Sequence, residues 1–214
     1  MRIAVLVYGR IDKCFRHYKN ILWGLGENQV DFFLSSDNAS SFELDIFKKV
    51  YKPKLYSNDK INHNYNLDIY NYLLEPYSNS IGKINNNNMI CHFINKERVF
   101  SLLEKFIEIE KVQYDCILSL RIDIVFQTQF QFNFPLKTNT IYIPLGFDFV
   151  FGINDQIAYG DLEVMKKYMN IVSNIILFLD NKITIPHPEN LTKTNILYNN
   201  LNIERFTLDY FIEK

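Results

Sequence analysis

An arginine and an aspartate two positions apart, Arg121 and Asp123, close an apolar run over residues 116–120. Such a run reads as a buried strand, and a buried strand does not carry two charges at its end unless they serve a purpose. A carboxylate is an oxygen ligand for a hard cation such as Mg²⁺ or Mn²⁺, and a guanidinium is a planar fork that matches phosphate oxygens. The pair is therefore read as the floor of a metal and phosphate site, with Asp123 as the metal ligand. The plainer alternatives are a structural pair between Arg121 and Asp123 or Asp115, and a turn-capping role for Asp123.

Two other clusters belong at the same level of the fold. Tyr8, Gly9 and Arg10 follow a first apolar strand, and Ser35, Ser36 and Asp37 follow a second. Ligands of open α/β sheets bind beyond the carboxyl ends of the strands, where all three clusters would lie. Gly9 lets a base or ribose approach the backbone, and Asp37 can accept hydrogen bonds from either; as a plainer reading, Asp37 is the N-cap of the next helix. No G-x-G-x-x-G follows the first strand and no G-x-x-x-x-G-K-[ST] occurs, which argues against a dinucleotide fold and a phosphate loop.

The elements that hold these clusters follow from periodicity. Residues 2–8 predict a central strand, 12–25 a helix and 30–34 a second strand, together a βαβ unit. A short helix is expected over 42–50 and a strand over 53–56. Residues 59–88 are polar, with a short helix expected over 67–74 and a loop over 85–88. A long helix is predicted over 89–112, with Phe93, Val99, Leu102, Leu103, Phe106 and Ile109 on one face. Strands follow over 114–120 and 140–144, and residues 127–134 read as an edge strand or a helical turn. After a loop with a short strand over 152–160, Asp161 caps a helix running through Tyr168 and beyond. A last helix near 190–199 and a strand over 203–206 complete an α/β pattern whose strands become mixed after residue 124.

The chain has 214 residues, enough for one domain with a real core, and a formal net charge of -1, which removes the electrostatic case for nucleic acid or an anionic membrane. Its three cysteines lie far apart, so no zinc knuckle or disulfide framework is expected, and a reducing compartment is. No signal peptide and no stretch long enough to span a bilayer is read; a soluble, cytoplasmic protein is expected.

The order of these pieces resembles a small glycosyltransferase of the GT-A fold, particularly the compact nucleotide-sugar transferases of large DNA viruses and of bacterial surface-polysaccharide clusters. The resemblance is carried by residues 3–10, 32–37, 114–123 and the block Gly152-Ile153-Asn154-Asp155-Gln156-Ile157-Ala158-Tyr159-Gly160 with Met165 and Tyr168 after it. It implies a single nucleotide-diphospho-sugar transferase domain over 1–214, with a mixed, mostly parallel sheet flanked by helices. Residues 1–123 would be the nucleotide-sugar-binding half and 124–214 the acceptor side. The implied activity is transfer of a sugar, hexosyltransferase type, from a nucleoside-diphosphate donor (UDP-linked) to a hydroxyl of a glycan or glycoprotein, in the host cytoplasm if the protein is viral. Tyr8, Gly9, Arg10, Asp37, Arg121 and Asp123 would bind the nucleotide sugar, with Mn²⁺ or Mg²⁺ on Asp123. Asp155 would be the base that takes the acceptor proton, giving inversion. The chain departs from the family's Asp-x-Asp metal motif: Arg121 holds the first position, where it can itself offset diphosphate charge.

The remaining polar residues have plainer readings. His187, between two prolines, is weighed as a second metal ligand and reads rather as a surface residue. His17, His63 and His92 have no partner pattern, Lys96 and Arg98 read as solvated helix charges, and the cysteines read as small core residues. Tyrosines between 65 and 77 could stack on a sugar or base. Two competing functions stay open: a sugar nucleotidyltransferase, betrayed by pyrophosphate as product, and a non-catalytic nucleotide-sugar or glycan-binding module.

Overall fold

The computed structural model describes residues 1–11, 14–37, 39–61, 86–149 and 151–213. The helix expected over 67–74 and the tyrosines between 65 and 77 lie outside them. The main strands are β1 (Arg2–Tyr8), β2 (Gln29–Ser35), β3 (Leu55–Ser57), β4 (Cys116–Arg121), β6 (Thr140–Pro144), β7 (Ile157–Gly160) and β8 (Asn202–Phe206). They form a seven-stranded sheet in the order β3-β2-β1-β4-β7-β6-β8. β1 lies parallel between β2 and β4, β7 alone runs antiparallel to its neighbours β4 and β6, and β8 is parallel to β6. The result is a mixed, mostly parallel sheet flanked by helices. A short antiparallel pair, β5 (Ile124–Phe126) with β9 (Tyr210–Ile212), forms a second sheet that periodicity does not reveal.

The helices are α1 (Cys14–Leu25), α2 (Ser41–Tyr51), α3 (Asn86–Glu110), α4 (Leu162–Met169), α5 (Val172–Asp180) and α6 (Pro188–Tyr198). Their ends have local causes. Ser40 and Glu43 close a capping box on α2, and Asp161 caps α4 by accepting from the Val164 amide at 2.8 Å. Pro188 opens α6, where its missing N–H costs nothing. The helix expected through Tyr168 and beyond breaks at Asn170 and resumes as α5. The asparagine run from Asn86 to Asn88, expected as a loop, is the first turn of α3. Residues 127–134 form neither strand nor helix.

Strand alternation splits β1 between two cores. Ile3, Val5 and Val7 pack toward α1, α2 and the second sheet; Ala4, Leu6 and Tyr8 pack toward α3 and α4. Further toward its start, α3 turns Met89, Ile90, Phe93 and Ile94 onto α5 in a third cluster. Ile109, expected on the buried face of α3, is exposed. The chain builds β1, β2 and β3 outward on one side and then crosses to β4 on the other. The β1–β4 boundary is thus the point where strand order reverses, and a crevice opens there. Among the described residues no helix is long and apolar enough to cross a membrane.

Candidate functional site

The crevice is a cavity of about 750 Å³, within the size range of small-molecule sites. Its lining includes Tyr8, Gly9 and Arg10 from the end of β1, Asp37 beyond β2, and Arg121 and Asp123 beyond β4. Six residues chosen from three separate stretches of sequence therefore share one cavity. Gly9 has φ +103 and an added Cβ would meet nothing within 4 Å, so backbone conformation and not space is what favours glycine there. Its amide donates to the Ser35 carbonyl at 3.0 Å and ties the ends of β1 and β2 together.

Arg121 and Asp123 form a bidentate pair: Nε donates to Oδ1 at 3.0 Å and Nη2 to Oδ2 at 2.6 Å. The structural alternative is thus realised within the lining itself. Burial works against the guanidinium's charge, but Asp123, Asp155 and Tyr8 outweigh it and hold its proton more firmly than usual. The Arg121 amide is anchored on the Gln156 carbonyl at 3.1 Å, and the Asp123 carbonyl accepts from the Glu213 amide at 3.0 Å. Both oxygens of Asp123 are engaged, and among the described residues no group of three His, Cys, Asp or Glu side chains gathers to hold a metal ion. These residues fit a divalent cation only if a bound phosphate supplies most of its oxygen ligands.

Asp155 is placed differently. It is buried, does not line the cavity, and sits with its Oδ2 3.4 Å from His92 Nε2. His92 does line the cavity. The Tyr8 hydroxyl donates to the Asp155 carbonyl at 3.4 Å and accepts from the Ser119 hydroxyl at 3.1 Å. One turn along α3, Lys96 is 1% exposed, donates to the Tyr168 hydroxyl at 3.1 Å and sits 4.2 Å from the centre of that ring. Burial pushes the Asp155 carboxyl up, but contact with His92 and the charges of Lys96 and Arg121 outweigh it, and the group lies below the ordinary aspartate value. Burial pulls His92 down and Asp155 only partly offsets that, so the imidazole is neutral at neutral pH. Burial also pushes the Lys96 ammonium down to about 8, with Asp155 pulling the other way.

The loop carrying Asp155 is braced on all sides. Asn154, fully buried, donates to the Gly146 carbonyl at 3.0 Å and to the Tyr210 hydroxyl at 2.7 Å, while its oxygen accepts from the Gln156 amide at 3.0 Å. Tyr210 in turn donates to Gln156 Oε1 at 3.0 Å. Asp148 accepts from the Asn154 amide at 2.9 Å and pairs with Arg205.

Several residues with bland sequence readings have specific places. Lys96 is a buried ammonium, not a solvated helix charge, because α3 packs over β1, β2 and β3 on one side and against α4 on the other. His92 faces Asp155, and His17 is buried with Nε2 3.0 Å from Glu213 Oε2 at the cavity wall. His187 is buried, not on the surface; it stacks on Phe149 with ring centres 4.3 Å apart and contacts Glu189. Sequence reasoning misses Asn95 altogether. This side chain accepts from Ser35 Oγ at 2.8 Å and donates to Asp37 Oδ1 at 3.2 Å, which aims the Asp37 carboxylate. A signal for it exists in the chain: His92, Asn95 and Lys96 continue the stripe of Val99 and Leu103 that packs on the sheet. A core-facing stripe that turns polar marks a site.

No protein-family model matches the chain, and no curated protein matches it significantly.

Proposed function

We propose that the chain is a GT-A-type glycosyltransferase that moves a sugar from a nucleoside-diphosphate donor, UDP-linked, to a hydroxyl of a glycan or glycoprotein. The observation that carries this reading is the gathering of Tyr8, Gly9, Arg10, Asp37, Arg121 and Asp123 around one cavity at the β1–β4 switch point. The mixed, mostly parallel sheet is compatible with it. Asp37, aimed by Asn95, accepts from the base or ribose. Arg121 faces the diphosphate, whose charge rises as the sugar–oxygen bond breaks, and a fixed guanidinium offsets that charge without rearrangement. Asp155 supplies the carboxylate of the acid–base apparatus. A cation, Mn²⁺ or Mg²⁺, joins Asp123 only together with the donor's phosphates.

The test is calorimetry and thermal shift with UDP, GDP, CDP and ADP, followed by release of nucleoside diphosphate from the matching sugar donors with and without Mn²⁺. Arg121→Gln is expected to weaken nucleoside-diphosphate binding about tenfold or more, since a charge-assisted hydrogen bond contributes about 1.5–3 kcal/mol. Unchanged affinity in that variant removes Arg121 from the site. Pyrophosphate as the product would favour a nucleotidyltransferase instead. The engagement of both Asp123 oxygens by Arg121 favours a second reading, a module that binds the nucleotide sugar without turning it over. Tight binding with no product from any donor would be its signature.

A further inference from the structure

We propose that His92, and not Asp155, is the side chain that takes the proton from the acceptor hydroxyl, with Asp155 acting as a positioning residue behind it; the proposal rests on the transferase reading. The two are far apart in sequence and are brought together because α3 starts at the carboxyl edge of the sheet, beside the loop that enters β7. The carboxylate is buried and absent from the cavity wall, whereas the imidazole belongs to that wall and is partly exposed. His92 Nε2 is buried against Asp155 Oδ2. The nitrogen left to meet a ligand is Nδ1, and among the described residues nothing hydrogen-bonds it.

The ring is held on its other sides as well. Tyr8 meets it edge-on at 5.1 Å between centres and Phe93 at 5.4 Å. Packed this way the ring plane is fixed, and the Asp155 carboxylate 3.4 Å from Nε2 favours the tautomer that carries its proton there, so Nδ1 presents a lone pair. The charged and titratable groups around it are Asp155 from the loop, Lys96 one turn on in α3, Arg121 from β4 and Tyr8 from β1. Burial first, and then the charges of Lys96 and Arg121, disfavour a positive ring, so the resting imidazole is neutral and ready to accept. Asp155 stabilises the imidazolium once it forms.

In the step itself, the acceptor oxygen forms a bond to the anomeric carbon while its proton passes to Nδ1. The bond from that carbon to the diphosphate oxygen breaks, and its electron pair leaves with the nucleoside diphosphate beside Arg121. Departure of products lets the imidazolium return its proton to water. Asp155 stays ionised throughout.

The experiment uses the full chain with UDP-glucose, UDP-galactose and UDP-N-acetylglucosamine, with water as acceptor, and follows UDP release across pH 4.5–8. His92→Gln is expected to lower turnover about 10²–10⁴-fold, to keep UDP affinity, and to lose the rise of kcat/KM with pH. Wild type is expected to show that rise with a midpoint below the ordinary histidine value. Asp155→Asn, close to isosteric, is expected to keep the rise but move it to lower pH, because the carboxylate that favours the imidazolium is gone; a merely structural Asp155 would not move it. Retained UDP binding serves as the check that each variant is folded. Turnover and pH profile unchanged in His92→Gln, with UDP still bound, would overturn this assignment and leave the transferase reading standing. Wild type that releases no UDP from any of the donors overturns both.

Discussion

Lys96 is the residue whose environment is least expected from its type. Its ammonium lies among Tyr8, Phe93 and Tyr168 with no carboxylate in an ion pair with it among the described residues. Its folded value, about 8, lies below the free value of 10.5, so the unfolded chain binds the proton more tightly. The destabilisation is therefore full below pH 8 and fades as pH rises through 10.5, above which neither state holds the proton. At 1.36 kcal/mol per pH unit the effect is about 3 kcal/mol. Lys96→Met is expected to be more stable than wild type in urea by up to about that amount at neutral pH, and the gap should narrow toward pH 10. The difference between variant and wild type cancels the tyrosines, which titrate in both. A gap that does not change with pH would mean that Lys96 does not titrate as its burial demands. Retention of such a costly group argues that its charge is used, and Asp155 is the carboxylate its charge acts on.

Among the elements, α3 and the loop over 151–156 decide what the cavity contains. α3 spans 25 residues, long enough to pack apolar residues on the sheet at Val99 and Leu103 and to deliver His92 and Asn95 to the carboxyl edge. Periodicity identifies the helix but assigns its charges to solvent, because a hydrophobic pattern weighs polarity and not position. The loop reaches its place through close packing as well as hydrogen bonds. At Gly152 an added Cβ would lie 2.6 Å from the Glu189 backbone carbon and 2.8 Å from the Asn190 nitrogen, so the loop seats directly on the start of α6. Gly152→Ala is expected to destabilise the protein by about 1–3 kcal/mol, visible as a lowered Tm, and to weaken activity through Asp155 more than UDP affinity through Arg10 and Asp37. Equal loss of both would mean that the loop and the Arg10–Asp37 end of the cavity move together. β5 and β9, at three residues each, are too short to carry a period. Their pairing is visible only once residues 124–126 and 210–212 meet.

The whole molecule is organised around β1, which is paired on both edges and covered on both faces. Its amides are expected to exchange with solvent most slowly, with those of the β5–β9 pair opening well before them, since a short ladder under one core detaches at less than global cost. Hydrogen exchange by mass spectrometry checks this; equal protection over 2–8 and 210–212 would make the second sheet part of the same cooperative unit. Strand–helix–strand order, the carboxyl edge of the sheet as the ligand side and six lining residues were legible from apolar runs that end in charge, because those signals are local. The reversal of β7, the choice of Asp123 over Asp115 as the partner of Arg121, and the seating of His92 and Lys96 where α3 meets the sheet and the Asp155 loop were not. Each depends on which distant segment lies opposite, and a period of 2 or 3.6 tells which residues share a face without telling what that face meets. Asp155 is the clearest case: its loop and its acid were readable in the chain, but only the packing of α3 against that loop put a histidine between the carboxylate and the cavity.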